Sequence, residues 1–260
     1  MLRTGQALIL AVKPFGERDA LAELFCTEFG RIRGLVKGGN TKKLSPTVQP
    51  FNTVNYEHFR RLDGQLGTLT LELSKSRAHI WLSAKSGSFL VPYLSQLLTQ
   101  LLPEEHPYEN LATRTTNLLE GPATWQDSVA YEIFLLETIG YGLRLRPEEA
   151  VECPENSALA YVSPASGRAV PINVARGYES RLLPLPHSLG GPECSEFNDF
   201  TAAWNLTGHF IEKIMRDATR HSGTLESRAR LAAYYARAHN FAPNVTLIQS
   251  TQNQPDVLAA

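Results

Sequence analysis

Residues 30–46 read GRIRGLVKGGNTKKLSP, a stretch with five cations and no carboxylate. Cations alternate with apolar side chains from Arg31 to Lys37, a pattern that predicts a strand with one solvated face. The apolar members of this alternation are Ile32, Leu35 and Val36. The Gly-Gly-Asn that follows predicts a turn, which carries Lys42 and Lys43.

This turn has two interpretations. Small residues allow close approach and cations neutralise charge, so a glycine-rich cationic loop suits the phosphate backbone of a nucleic acid. A solvated hairpin explains the same residues. The stretch by itself favours neither interpretation.

The first 80 residues carry a repeated strand signal, broken by glycine and proline. Strand-like runs lie at residues 6–13, 31–36, 48–60 and 66–74, with a mixed signal at 19–29. About five short strands without a long helical period predict a small barrel, and an OB-fold fits best. Three aromatic residues lie in and beside the strand after the basic loop: Phe51, Tyr56 and Phe59. They predict either a stacking surface for bases or barrel core, and we expect core for at least two of them.

From about residue 80 the apolar period changes from two to between three and four, which indicates helices. Helical patterns cover residues 81–101, 107–119, 125–143, 198–214 and 224–240. We expect Pro92 to kink the first of these helices and Asn198 to cap the fourth. Residues 144–197 are instead rich in proline and carry one hairpin signal, at 158–162 and 168–172, so they predict an inserted module.

Together these patterns predict an α+β protein: an N-terminal OB-fold β-barrel, then an all-α bundle with a small inserted β-hairpin module. The 43% apolar fraction supports folded cores, and 260 residues are long for a single one. The predicted domains are an OB-fold at 1–79, a helical domain at 80–143 and 198–247, an insert at 144–197 and a flexible tail at 248–260.

Charge is divided unevenly along the chain. Residues 1–80 hold 12 Lys and Arg against 7 Asp and Glu, whereas the later residues hold 13 against 19. A basic first part joined to an acidic remainder predicts a polyanionic partner for the first part.

The cysteines and the apolar runs indicate a cellular compartment. Cys26, Cys153 and Cys194 are widely spaced, which argues against a disulfide framework and fits a reducing environment. Cys26 lies in an apolar setting, where a packed thiol is expected rather than a nucleophile. No signal-peptide pattern and no apolar window of about 18 residues occurs. We therefore expect a cytoplasmic protein without a membrane partner.

Several short motifs, in this order and spacing, resemble the RecO family of bacterial DNA repair proteins. The motifs are Lys13-Pro-Phe-Gly-Glu17, Leu24-Phe25, Glu28-Phe-Gly30, Lys37-Gly38, Lys43-Leu-Ser45 and Gln49-Pro-Phe51. Further support comes from Glu72 and from Leu225 with Ser227-Arg228. The resemblance spans most of the chain. It implies an N-terminal OB-fold, a helical domain and a small module inserted before the last helices.

Two departures from the family pattern matter. Members commonly follow the loop Lys-Gly with Ala-Arg, whereas this chain has Gly39-Asn40, so we expect Lys42 and Lys43 to replace the missing cation. Many members also carry a four-cysteine zinc module in the insert. Here Cys153-Pro-Glu-Asn156 stands at the first expected pair, and no second pair exists. Because a structural zinc site takes about four nitrogen or sulfur ligands, we predict no zinc and no cofactor.

The resemblance implies a recombination mediator rather than an enzyme. Such a protein binds single- and double-stranded DNA, anneals complementary strands, and acts with RecR to load RecA on strands coated by single-stranded-DNA-binding protein. It would work in the cytoplasm at the nucleoid. The DNA contacts that we predict are Arg31, Arg33, Lys37, Lys42 and Lys43, followed by Lys13, Arg18, Arg60 and Arg61.

The resemblance also implies a site on the helical domain for the acidic, Phe-ended tail of single-stranded-DNA-binding protein. Lys213, Arg216 and Arg220 recur on one face of a predicted helix, and cations of this kind suit an acidic peptide. An ordinary solvated helix face is the alternative.

No pattern indicates catalysis. The glycines at 34–39 are not followed by the Lys-Ser/Thr of a phosphate-binding P-loop, and no nucleophile-elbow or zinc-protease motif occurs. His209 and Glu212 share a helix face but are too few to hold a metal. Two alternative functions stay open: an RNA-binding OB-fold protein, and a protein-interaction adaptor without nucleic-acid affinity.

Overall fold

The computed structural model describes residues 1–62, 64–77, 86–121, 123–151, 157–219 and 225–241, without the side chains of residues 218 and 219. The chain divides into two compact units, Met1–Gly142 and Leu143–Ala260. The expected beginning of the first helix, at 81–85, and the expected tail at 248–260 lie outside the described residues. The domain boundaries proposed above stay a prediction.

The first unit begins with a closed five-stranded barrel in which the strands neighbour one another in the order β1-β2-β3-β5-β4. The strands are β1 (Leu2–Phe15), β2 (Asp19–Cys26), β3 (Gly30–Val36), β4 (Thr53–Phe59) and β5 (Gly67–Lys75). β3 and β5 run parallel, with Gly34 opposite Gly67 and Leu35 opposite Thr68, whereas the other pairs are antiparallel. This is the predicted OB-fold.

Burial with a period of two builds the barrel core. In β3, Ile32, Gly34 and Val36 are buried, whereas Arg33 is exposed. The other strands contribute inward-facing side chains in the same way, among them Ile9, Leu24, Val54 and Leu71. The alternate residues point outward, so the outer face of the barrel carries the polar groups.

The described part of the first unit also has three helices. They are α1 (Gly87–Leu101), α2 (Leu111–Glu120) and α3 (Trp125–Thr138). α1 continues through Pro92 and lies against the barrel, where Ser95 Oγ donates to the Leu10 carbonyl at 2.7 Å. α3 begins at a capping box of Thr124 and Asp127. It ends before the predicted residue 143, since Gly140 adopts a left-handed conformation with φ 89°.

The described part of the second unit combines a small sheet with two helices. Its strands, in the spatial order β7-β6-β8, are β6 (Leu159–Val162), β7 (Ala169–Pro171) and β8 (Leu183–Pro184), and its helices are α4 (Glu196–Thr219) and α5 (Glu226–Ala238). β6 and β7 form the predicted hairpin. The predicted cap of α4 at Asn198 is wrong. Ser195 precedes the helix, and its Oγ accepts the Asn198 N–H at 3.3 Å, which is the usual role of an N-cap hydroxyl.

Candidate nucleic-acid interface

The outer face of β3 carries Arg31, Arg33 and Leu35. Leu35 was expected to share a face with Ile32 and Val36, and this expectation is wrong. In an extended strand, odd and even positions point to opposite faces, so Leu35 accompanies the arginines and is half-buried among them. Gly34 takes the inward position that a leucine would have filled.

The cationic loop after β3 is not a hairpin. β3 pairs with β2 and β5 but not with β4, so residues 37–52 cross from one side of the barrel to another. The crossing is held by its own hydrogen bonds: the Thr41 N–H and Oγ1 both donate to the Gly38 carbonyl, at 3.0 and 2.6 Å. Gly38 has φ +69°, a conformation that glycine adopts without strain. Lys42 and Lys43 are therefore presented, exposed, from an ordered loop.

The turn between β1 and β2 lies against this loop. The Gly38 N–H donates to Asp19 Oδ1 at 2.7 Å, and the Asn40 N–H donates to the Arg18 carbonyl at 2.9 Å. These two bonds fix two cation-bearing segments beside each other. We call the resulting surface the cationic end of the barrel, and it comprises Lys13, Arg18, Lys37, Lys42 and Lys43.

All five side chains of the cationic end belong to exposed residues. None of them forms an ion pair with another residue that the structure describes. Exposed cations without internal carboxylate partners keep their charge available for an external anion. Arg61, another predicted contact, is also exposed, in the connection between β4 and β5.

The remaining predicted cations, Arg31, Arg33 and Arg60, lie in a different environment. Arg31 Nη1 contacts Glu23 Oε2 at 2.6 Å, and Arg33 Nε contacts Glu104 Oε1 at 2.7 Å. Arg60 forms an ion pair with Glu105, which also meets Arg3 at 3.4 Å. Only 13% of the Arg31 side chain and 8% of the Arg60 side chain are exposed, compared with 52% for Arg33. These three arginines are engaged within the molecule.

The carboxylates of this arginine network come largely from the segment after α1. Glu104 forms a parallel β-bridge with Arg31, and the Glu105 N–H donates to the Arg31 carbonyl at 2.8 Å. β5 pairs with β3 only at Gly34 and Leu35, which leaves room beside Arg31 for this segment. Gly30 is needed here, because a Cβ on it would lie 1.8 Å from the His106 carbonyl oxygen.

Electrostatics in the arginine network follow from these contacts. The hydrogen bond from Arg60, with a further contribution from Arg3, lowers the pKa of Glu105, although partial burial opposes the shift. Burial, then the charges of Arg60 and Arg3, lower the pKa of His58, which favours the neutral form of this side chain. The network thus pairs arginines with carboxylates beside a histidine whose protonation is disfavoured.

The three aromatic residues considered for base stacking separate into two groups. Phe51 and Tyr56 are 1% and 3% exposed, so the expectation that at least two of the three are core is confirmed. Phe59 is 52% exposed and pairs with Leu2 at the start of β1. Its place is therefore at the opposite end of β1 from the cationic end.

The structure describes two of the three predicted tail-binding residues, Lys213 and Arg216, both on α4. Lys213 Nζ donates to the carbonyls of Pro164 and Ala165, at 3.3 and 2.8 Å, so it holds the turn between β6 and β7. Arg216 is exposed, and Arg220 lies outside the described residues.

A cavity of about 250 Å³ lies between α2 and α3 in the first unit. Its apolar lining includes Leu118, Ala123 and Tyr131, and the Arg114 guanidinium lies 5.1 Å from the centre of the Phe134 ring at its edge. Sequence inspection missed this cavity. Arg114 is a single cation in an ordinary helical pattern, and only the packing of two helices makes the apolar pocket beside it.

Metal ligands are not grouped in the part of the chain that the structure describes, where no cluster of three or more His, Cys, Asp or Glu side chains is positioned to hold a metal. Cys26 is buried, which confirms the expected packed thiol, and Cys194 is exposed. Cys153 lies outside the described residues, so the absence of zinc stays a prediction.

Among the described residues, no helix has the length and apolar character of a membrane span.

An N-terminal OB-fold barrel with a cationic end, followed by helices and a small sheet, defines a class of protein in which a small barrel is joined to a helical region. Two family models match this chain and identify its family. The model described as recombination protein O N terminal matches residues 1–77, and that described as recombination protein O C terminal matches residues 88–215.

Curated relatives agree with the family models. The DNA repair protein RecO of Rhodospirillum centenum is 36% identical over 239 residues, covering 91% of this chain and 95% of the relative. That of Paracoccus denitrificans is 36% identical over 236 residues, covering 88% and 94%. That of Xanthobacter autotrophicus is 31% identical over 239 residues, covering 90% and 97%. The chain belongs to the RecO family of DNA repair proteins.

Proposed function

We propose that this protein binds the phosphate backbone of single- and double-stranded DNA through the cationic end of its barrel, without sequence preference. The observation that carries the proposal is the set of five exposed cations on two segments tied together by the Asp19–Gly38 and Arg18–Asn40 hydrogen bonds. A cationic surface of this kind neutralises phosphates and releases counterions. Membership of a DNA repair family supports DNA as the polyanion.

The mechanism is physical, and no covalent bond is broken. Cations hold the backbone while the bases stay available for pairing, so two complementary strands bound in this way are brought together and annealed. In recombination, the protein acts with RecR to help load RecA on DNA covered by single-stranded-DNA-binding protein. This work belongs in the cytoplasm, at the nucleoid.

The predicted DNA contacts fall into two groups in this proposal. Lys37, Lys42 and Lys43, with Lys13 and Arg18 beside them, make the primary phosphate contacts because nothing within the described molecule neutralises them. Arg61, exposed in the connection between β4 and β5, is a separate phosphate contact in this proposal. Arg31, Arg33 and Arg60 act first as anchors for the segment containing Glu104 and Glu105, and they contribute less to DNA affinity.

A salt titration of single-strand binding tests the primary contacts. The variant Lys37→Ala/Lys42→Ala/Lys43→Ala should lower the slope of log affinity against log salt by about 2, since each lost phosphate contact removes about 0.7. The matched control is Arg146→Ala/Arg176→Ala/Arg181→Ala, which removes the same charge from exposed positions of the second unit. We expect the control to keep the wild-type slope.

The outcomes separate the alternatives. An unchanged slope in the lysine variant would remove the loop from the site. Preference for RNA over DNA of the same sequence in direct competition would instead favour an RNA-binding protein. A wild-type protein that binds neither nucleic acid would favour an interaction adaptor.

We also propose a site for the acidic, Phe-ended tail of single-stranded-DNA-binding protein. Such a peptide needs a cation beside an apolar pocket. Lys213, Arg216 and Arg220 supply cations, but Lys213 is already bound to two carbonyls. The cavity between α2 and α3 offers both a cation and an apolar pocket, because Arg114 lies beside Tyr131 and Phe134.

Peptide binding by fluorescence anisotropy distinguishes these two placements. Loss of affinity in Arg114→Ala with no change in Lys213→Ala/Arg216→Ala/Arg220→Ala would place the tail between α2 and α3. The reverse result would place it on α4. Wild-type affinity in both variants would contradict both placements.

A further inference from the structure

Phe15 is an exposed aromatic residue at the tip of the β1–β2 turn. It ends β1 and stands opposite Asp19, with residues 16–18 forming the turn between them. Of its surface, 51% is exposed, although burial of an aromatic side chain is strongly favourable. The barrel core therefore does not explain why a phenylalanine stands at this position.

Phe15 lies at the β1–β2 turn, beside the cationic loop. Phe15 is paired with Asp19 across the two strands, and Asp19 Oδ1 accepts a hydrogen bond from the Gly38 N–H of the cationic loop. Only Asp19 therefore lies between Phe15 and this loop. This end of the barrel carries five cations but only two carboxylates, those of Glu17 and Asp19. The Asp19 carboxylate already accepts a hydrogen bond from the Gly38 N–H. An exposed ring among cations is the arrangement with which OB-folds and related proteins hold single strands.

We propose that Phe15 stacks on an unpaired nucleobase while the neighbouring cations hold the phosphates, and that this contact gives the cationic end a preference for single strands over duplex. The inference rests on the proposed DNA-binding function. Bases inside a duplex are already stacked on their neighbours, so only a single strand offers a free base face to the ring. Among the other aromatic candidates, Phe51 and Tyr56 are buried, and Phe59 is exposed but pairs with Leu2 at the other end of β1.

Phe59 provides a matched control. Its exposure of 52% is almost the same as that of Phe15, but it pairs with Leu2 at the other end of β1. Phe15→Leu and Phe59→Leu each replace an exposed ring with an aliphatic side chain, so any general effect of losing an exposed aromatic appears in both. Phe15→Tyr keeps a ring at the tip and tests rescue by an aromatic residue.

The experiment measures binding of these variants to a single-stranded oligonucleotide and to a duplex of the same length, each over a range of salt. Phe15→Leu should bind the single strand about 5- to 100-fold more weakly, with unchanged salt slope and unchanged duplex affinity. Phe15→Tyr and Phe59→Leu should bind as wild type does. A single strand with abasic sites should bind wild type and Phe15→Leu equally.

Two results would overturn the inference: wild-type single-strand affinity in Phe15→Leu, or an equal loss for single strand and duplex. The proposed function is judged separately by the lysine variant. If the Lys37, Lys42 and Lys43 changes lower the salt slope while Phe15→Leu has no effect, the cationic end binds DNA and the stacking contact is wrong. If neither variant changes binding, both ideas are wrong.

Discussion

At Glu105, one carboxylate meets two arginines from separate parts of the barrel. Arg60 follows β4 and Arg3 lies in β1, so the pair of contacts joins the segment after α1 to the barrel wall. Arg60 is the more buried partner, with 8% of its side chain exposed, whereas 40% of the Glu105 side chain is exposed. Removal of the carboxylate would leave a buried guanidinium without its charged partner.

Glu105→Gln should therefore lower the free energy of unfolding at pH 7 by about 1 to 3 kcal/mol, a range reduced from that of a fully buried pair because Glu105 is partly exposed. The folded state lowers the pKa of Glu105. Its stabilisation is thus present above the ordinary value of 4.5 and is lost as pH falls through the folded pKa. Urea denaturation should show a wild-type advantage at pH 7 that shrinks when the measurement is repeated at a pH below 4.5.

The control for this comparison is Glu17→Gln, an exposed carboxylate without an ion pair among the described residues. It should match wild type at both pH values. A Glu105→Gln variant that loses the same free energy at both pH values would show that its effect is packing rather than charge.

At the scale of elements, the proposed DNA binding by the cationic end depends on two loops being held together. Asp19 carries a negative charge, yet its position is structural: Oδ1 accepts the Gly38 N–H at 2.7 Å and fixes the start of the crossing loop. Glu17, two residues earlier, is exposed in the turn and is not part of this bond.

Asp19→Ala and Glu17→Ala remove the same charge next to the same cations, and we expect opposite effects on DNA affinity. Electrostatics alone predicts tighter binding for both variants. Loss of the Asp19 bond also frees the loop, so Asp19→Ala should bind a single strand several-fold more weakly, while Glu17→Ala should bind equally or more tightly. Tighter binding by both would show that the loop needs no fixed position.

At the scale of the whole molecule, the insert poses a question about metal. The described part of the second unit forms a three-stranded sheet around β6, with the buried side chains Val162 and Ala169 between strands. Arg168 adds hydrogen bonds to the carbonyls of Glu149 and Ala150, at 2.8 and 2.9 Å. Packing and hydrogen bonds of this kind are an alternative to a metal for holding a small module.

We expect purified protein to contain no zinc, and a chelator to leave its thermal midpoint unchanged, because the insert contains no Cys-x-x-Cys pair, the usual source of ligands in a small structural zinc module. Elemental analysis and thermal unfolding with and without chelator measure this. One equivalent of zinc per chain, or a large fall in the midpoint on chelation, would contradict the prediction.

Local patterns in the sequence determined much of the fold and part of the site. Alternation along β3, the glycines around it and the change of period after residue 80 were enough to predict the OB-fold, the helices and the hairpin of β6 and β7. The same local information selected Lys37, Lys42 and Lys43, since a run of cations without nearby carboxylates is visible in the chain itself. Side-chain periodicity and turn chemistry act between near neighbours, which is why the sequence alone reveals them.

Only the tertiary structure decided which cations are free. Arg31 and Lys37 look equivalent in the sequence, but in the fold Arg31 contacts Glu23 on β2 and Glu104 after α1. Lys37 forms no ion pair with a residue that the structure describes. The hydrogen bond between Asp19 and Gly38 likewise depends on strand order and register, and so does the exposure of Phe15 opposite Asp19. Ion pairing and burial depend on distance in space, and distance in space is set by the folded topology rather than by position along the chain.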